Sequence, residues 1–120
     1  MKYVLYIRKS SESEERQVMS LVAQETEMLS IAKRDQLNIV DVIKESHSAK
    51  QTGQRPEFNR MIKGIRNGTY TAILTWAPDR LSRNAGDLGM IVDLMDSGQL
   101  EFVQTHSQIF SNDPNSKFML

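Results

Sequence analysis

The chain has 120 residues, 39% of them hydrophobic, and fifteen basic side chains balance fifteen acidic ones. That length supports one compact core and so one domain, and the zero net charge does not by itself announce a nucleic-acid partner. The lack of cysteine excludes a disulfide framework and thiolate chemistry, and no apolar run suits a membrane span or a signal peptide, so a soluble, cytoplasmic protein is expected.

Residues 2–8, KYVLYIR, are β-branched and aromatic and read as a strand, with the polar run KSSESEER behind them. Val18, Leu21, Val22, Met28, Leu29 and Ala32 recur at helical spacing, which predicts an amphipathic helix from about 16 to 35. Residues 38–45, NIVDVIKE, form a second strand, and the polar loop SHSAKQTGQR follows. Pro56 suits a first helical position, and Phe58, Met61, Ile62 and Ile65 make an apolar stripe that Asn67 and Gly68 end. Residues 70–76, YTAILTW, are nearly continuously apolar, as in the buried middle of a parallel sheet. Asn84 is placed to cap a helix carrying Leu88, Ile91, Val92 and Met95, closed at Ser97 and Gly98. Residues 100–105, LEFVQT, make the fourth strand. Beyond it, Asn112 or Asp113 caps a further helix that Pro114 begins, with Phe118, Met119 and Leu120 as its first apolar turn.

Strands alternating with helices predict right-handed crossovers and an α/β fold, a largely parallel central sheet with helices on both faces. Functional groups in such sheets gather at the carboxyl ends of the strands. Arg8 and Ser10 fall after the first strand, residues 46–55 after the second, and Asp79, Arg80 and Arg83 of WAPDRLSRN after the third. Arginine offers a planar, permanently charged fork that matches phosphate oxygens, and a serine hydroxyl can attack phosphorus. Such a centre needs no metal or cofactor. The histidines, His47 and His106, stand apart, and no carboxylates cluster at ligand spacing.

Residue type alone does not single out Ser10, because a serine after a strand is ordinarily a turn residue and Ser11 and Ser13 are adjacent. Lys44, Lys50, Arg55, Arg60, Lys63 and Arg66 form a basic stretch and Asp87, Asp93, Asp96 and Glu101 an acidic one. Charge of this kind is ordinarily a solvated surface. Met19, Met61, Met90 and Met95 read as core or interface filler.

YIRKS, SAKQTGQRPEFNRMI and WAPDRLSRN, in this order and at these intervals, resemble the catalytic domain of serine recombinases, the superfamily of resolvases, invertases and large serine integrases. The resemblance runs through essentially the whole chain. It implies a resolvase-like three-layer sandwich with Ser10 as the nucleophile on DNA. Arg8, Arg55, Arg80 and Arg83 correspond to the arginines around the scissile phosphate, Gln24 to a glutamine that orders the site, and Ser48 to the polar residue of the second loop. Asp79 corresponds to the aspartate beside the arginines, with proton transfer and arginine orientation both open as its role.

What the resemblance implies for activity is cleavage of double-stranded DNA through a 5′-phosphoserine bond, and religation after strand exchange without ATP, metal or cofactor. It also implies self-association, as a dimer and as a tetramer in the synaptic complex, and origin in a bacterial or phage mobile element. Family members continue into a long dimerisation helix and a separate DNA-binding region. Residues 1–120 are therefore expected to be the catalytic domain of a site-specific recombinase, truncated at the start of that helix, with the DNA-binding region absent and the isolated fragment not competent for full recombination. Two other classes remain: a non-catalytic α/β oligomerisation module, and a metal-dependent nuclease or phosphatase on a similar sheet.

Overall fold

All six side chains of strand β1 (Tyr3–Arg8) are buried, as befits a central strand of a sheet covered on both faces. The computed structural model describes residues 1–8, 21–45, 56–77, 81, 85–106 and 108–111. After β1 come helix α1 (Leu21–Arg34), β2 (Ile39–Glu45), α2 (Pro56–Arg66), β3 (Ala72–Thr75), α3 (Ala85–Asp96), β4 (Phe102–Gln104) and β5 (Ile109–Ser111). The strands form one five-stranded sheet in the order β2-β1-β3-β4-β5. β1 pairs in parallel with β2 and β3, and β3 with β4, whereas β5 runs antiparallel to β4.

Strand alternation divides the core. Val4 and Tyr6 of β1, Ile73 of β3 and Val103 of β4 pack with Phe58, Met61, Ile62 and Ile65 of α2 and with Ile91, Leu94 and Met95 of α3. Tyr3, Leu5 and Ile7, with Ala72 and Leu74, meet Met28, Ile31 and Ala32 of α1 on the opposite face. Helices thus cover both faces, α1 on one and α2 with α3 on the other, as the sequence predicts. Phe58 meets the ring of Tyr6 edge-on, with centroids 6.0 Å apart. Met61 and Met95 are fully buried, and Met90 packs against the same core.

Helices α2 and α3 stop where Gly68 (φ 85°) and Gly98 (φ 80°) take the left-handed conformation that a Cβ would oppose. Their amides return to the carbonyls of Ile65 and Met95 at 3.1 Å each. Downstream of Gly68, Tyr70 is buried against α2, and its hydroxyl donates to Asp41 Oδ2 of β2 at 2.5 Å. Arg60, expected to be merely solvated, donates to Glu57 at 3.0 and 2.8 Å and lies 3.6 Å from Asp41.

The structure corrects the sequence reading at two places. Val22 and Leu29, read as part of the α1 stripe, are 74% and 39% exposed. The stripe that meets the sheet is instead Gln24, Met28, Ile31 and Ala32, and Val22 and Leu29 lie together beyond its Ala32 edge. Strand β5 was not anticipated. It forms because Phe110 adds to the α2/α3 core opposite Val103, while Thr105 and Gln108 close the turn with a 2.7 Å backbone bond. The first turn of the predicted helix at residues 16–20, the Asn84 cap and the helix begun by Pro114 lie outside the described residues.

Candidate functional site

Both neighbours of β1 arrive by crossovers that leave in opposite directions, β2 to one side and β3 to the other. The carboxyl ends of β1 and β3 therefore flank a topological switch point, where open α/β sheets place their ligands. Arg8 ends β1 at this point and is 1% exposed. Alternation along β1 directs its side chain to the α2/α3 face, the face of Val4 and Tyr6. Its main chain is held from the other face, where Gln24 of α1, also 1% exposed, donates from Nε2 to the Arg8 carbonyl at 3.3 Å. A guanidinium stays charged even when buried, so such a position must be lined with acceptors or anions.

Glu45, the last residue of β2, stands in register with Arg8 and is likewise 1% exposed. Its Oε2 accepts the Phe58 amide at 3.0 Å. A carboxylate there satisfies an otherwise orphaned N–H and complements the positive end of the α2 dipole. The bond also ties the end of β2 to the first turn of α2.

At the end of β3, Thr75 is fully buried and Trp76 partly so. Trp76 packs against His106 with ring centroids 4.4 Å apart and the planes tilted by 39°, and its carbonyl accepts the His106 amide at 3.1 Å. His106 Nε2 in turn lies 3.5 Å from Glu27 of α1. Leu81, between Arg80 and Arg83 in sequence, is 1% exposed and belongs to the α2/α3 core. Asp87, in the first turn of α3, is fully buried.

Of the predicted site residues, Arg8 and Gln24 are brought together and bonded. Ser10, Ser48, Arg55, Asp79, Arg80 and Arg83 lie outside the described residues. Of the described residues that flank them, Arg8 and Glu45 end strands, Pro56 and Ala85 begin helices, and Ala77 follows the end of β3, all around the carboxyl edge of the sheet. Sequence reasoning missed the structural parts played by Glu45, Thr75, Leu81 and Asp87. A signal existed for Glu45, a carboxylate closing an apolar strand ahead of a polar loop. For Leu81 the signal was an isolated apolar residue within DRLSR. Among the described residues no group of three or more His, Asp or Glu could hold a metal ion, and no helix is long and apolar enough to cross a membrane.

The sequence matches the family described as resolvase, N-terminal domain, over residues 3–120. The fold superposes on the N-terminal catalytic domain of TP901-1 integrase with a TM-score of 0.80 at 19% identity, covering 99% of this chain and 88% of that one. For a resolvase family site-specific recombinase from Streptococcus pneumoniae the TM-score is 0.77 at 25% identity, over 99% and 82% of the respective chains. The first open reading frame of transposon ISC1904 from Sulfolobus solfataricus P2 gives 0.65 at 21% identity, over 90% and 68%. No curated protein sequence matches the chain. With the ordered motifs, the switch-point sheet and a family match spanning nearly every residue, the chain belongs to the resolvase N-terminal domain family.

Proposed function

We propose that this domain cleaves and rejoins double-stranded DNA, with Ser10 as the nucleophile. Ser10 Oγ attacks a backbone phosphorus, the bond to the deoxyribose 3′ oxygen breaks, and the 5′ phosphate remains esterified to the serine. The phosphoryl bond is conserved in that ester, so the freed 3′ hydroxyl of an exchanged strand reverses the step without ATP. Arg8, Arg55, Arg80 and Arg83 hold the charge that collects on the non-bridging oxygens. Asp79 orients an arginine or carries a proton, Gln24 fixes the end of β1, and Ser48 supplies a polar contact from the second loop. Cleavage of paired strands calls for self-association of the domain on its site.

The observation that carries this reading is Arg8. A fully charged side chain is buried at the switch point, its main chain fixed by Gln24 and its neighbour in register a buried carboxylate. Burial of a guanidinium is costly unless an anion is to be bound or balanced there. Beside the partners the protein itself supplies, residue type, motif order and family membership support a phosphodiester as an anion that Arg8 engages.

The reading is tested with a pool of DNA duplexes of randomised sequence, nicked to favour trapping. The wild-type chain should yield a covalent protein–DNA adduct that a chelator leaves unchanged, and Ser10→Ala should yield none while retaining its fold and DNA binding. An undiminished adduct in Ser10→Ala would transfer the role to Ser11, Ser13 or another group. An adduct abolished by chelator would favour metal-dependent chemistry.

A further inference from the structure

Thr75 closes β3 with a relative exposure of 0%, and its Oγ1 has no hydrogen-bond partner among the described residues. A buried hydroxyl left unsatisfied is destabilising, and valine would fill the same space without that penalty. The position of Thr75 relates it to the site. It stands in register with Tyr6, so its side chain lies on the α2/α3 face shared by Tyr6 and Arg8. Arg8 is the next residue of β1 on that face, one pleat further along the adjacent strand. Strand spacing and rise put the two Cα atoms on the order of 8 Å apart, within the span of an arginine side chain.

We infer that Thr75 is a positioning residue for Arg8. A guanidinium that grips a phosphate with two of its five N–H groups leaves the others to be satisfied, and in a dry site water cannot serve them. The Thr75 hydroxyl is a buried acceptor within reach. When the Arg8 guanidinium grips a phosphodiester, Thr75 Oγ1 accepts one of the remaining N–H groups and sets the plane of the fork. Thr75 touches neither phosphate nor nucleophile, and it acts only through Arg8. The inference rests on the reading of Arg8 as a phosphate ligand.

The test compares Thr75→Val and Thr75→Ser with wild type in the whole chain, using the randomised nicked duplex pool as probe. Thr75→Val should melt at or above the wild-type temperature and bind the duplex within about twofold, yet form the covalent adduct about tenfold more slowly. Thr75→Ser, which restores the hydroxyl, should recover the rate to within about threefold. An adduct rate in Thr75→Val within about twofold of wild type would overturn the inference. So would a slow Thr75→Val that Thr75→Ser does not rescue, since that pattern belongs to packing. A Thr75→Val protein that melts lower would also overturn it, because the hydroxyl would then already have a partner in the free protein. Ser10→Ala, run alongside, keeps the two claims apart. Adduct in both wild type and Ser10→Ala, or in neither, removes the Ser10 reading. Thr75→Val matching wild type while Ser10→Ala is blank removes only the role of Thr75.

Discussion

The side-chain amide of Gln24 reaches the main-chain carbonyl of Arg8 at 3.3 Å, so helix α1 holds the last residue of the central strand by its backbone. The bond crosses from one face of the sheet to a residue whose side chain serves the other. Gln24→Ala leaves a buried carbonyl without this donor and should destabilise the domain by about 1–2 kcal/mol. Urea unfolding measures that loss. Because Arg8 shifts with its carbonyl, adduct formation should fall further than DNA binding. Gln24→Met, which fills the space without donating, should repair packing but not the cleavage defect.

Asp41 and Tyr70 give the domain a pH dependence with a defined sign. The hydroxyl of Tyr70, then the Val42 amide and Arg60, hold the Asp41 carboxyl below the usual aspartate value against the opposing effect of burial. The folded state therefore binds the Asp41 proton less readily than the unfolded chain. Its contribution is complete above about pH 4 and is lost as the pH falls further. Burial first, and then the bond to Asp41 and its charge, push the Tyr70 hydroxyl up, so that contribution fades as the pH rises past about 10. Tyr70→Phe should flatten the acid limb of stability measured by urea unfolding between about pH 3 and 7. The Asp41 side chain is 38% exposed, so solvent screening keeps the effect small.

Gly64 is required by Tyr70. A Cβ built at Gly64 would fall 2.4 and 2.7 Å from atoms of the Tyr70 ring, which is itself buried. Gly64→Ala should therefore cost about 1–3 kcal/mol, as overpacking does in a filled core. Pairing it with Tyr70→Leu should recover part of the loss in the same unfolding assay, since the ring is what the methyl meets.

The sheet was legible in the sequence because its central strands are apolar on both faces and its helices carry clear stripes. Tyr3–Arg8, Pro56–Arg66 and Ala72–Thr75 lie where pattern and punctuation put them. Strand β5 was not legible. Three residues hold no period, and Ile109–Ser111 becomes a strand only through the hydrogen bonds of β4. The outward turn of Val22 and Leu29 was hidden for a related reason. A stripe rich in leucine and valine does not say which of its edges meets the sheet, and buried Gln24 took a place that apolarity would have given to them. At the site, motif order made Arg8 and Gln24 visible. The capping of α2 by Glu45 and the burial of Thr75 depend on the approach of other elements, which no local pattern records.

Arg80 separates clamping from attraction. Arg80→Lys keeps the positive charge but loses the planar fork with which an arginine can grip two phosphate oxygens together. Cleavage should drop by about a hundredfold while overall DNA affinity, spread over many phosphate contacts, changes by less than about threefold. Gel-shift titration and adduct yield on the same duplex pool give the two numbers. Equal losses in both would argue that Arg80 serves binding alone.

The most direct test of the account is to locate the covalent bond itself. Protein–DNA adduct formed on the nicked duplex pool is digested with protease and nuclease, and the nucleotide-bearing peptide is sequenced by mass spectrometry. The account predicts the nucleotide on Ser10, esterified through its 5′ phosphate, with a free 3′ hydroxyl on the released strand. A nucleotide on another residue, a 3′ linkage, or cleavage that leaves no linked peptide at all would contradict it.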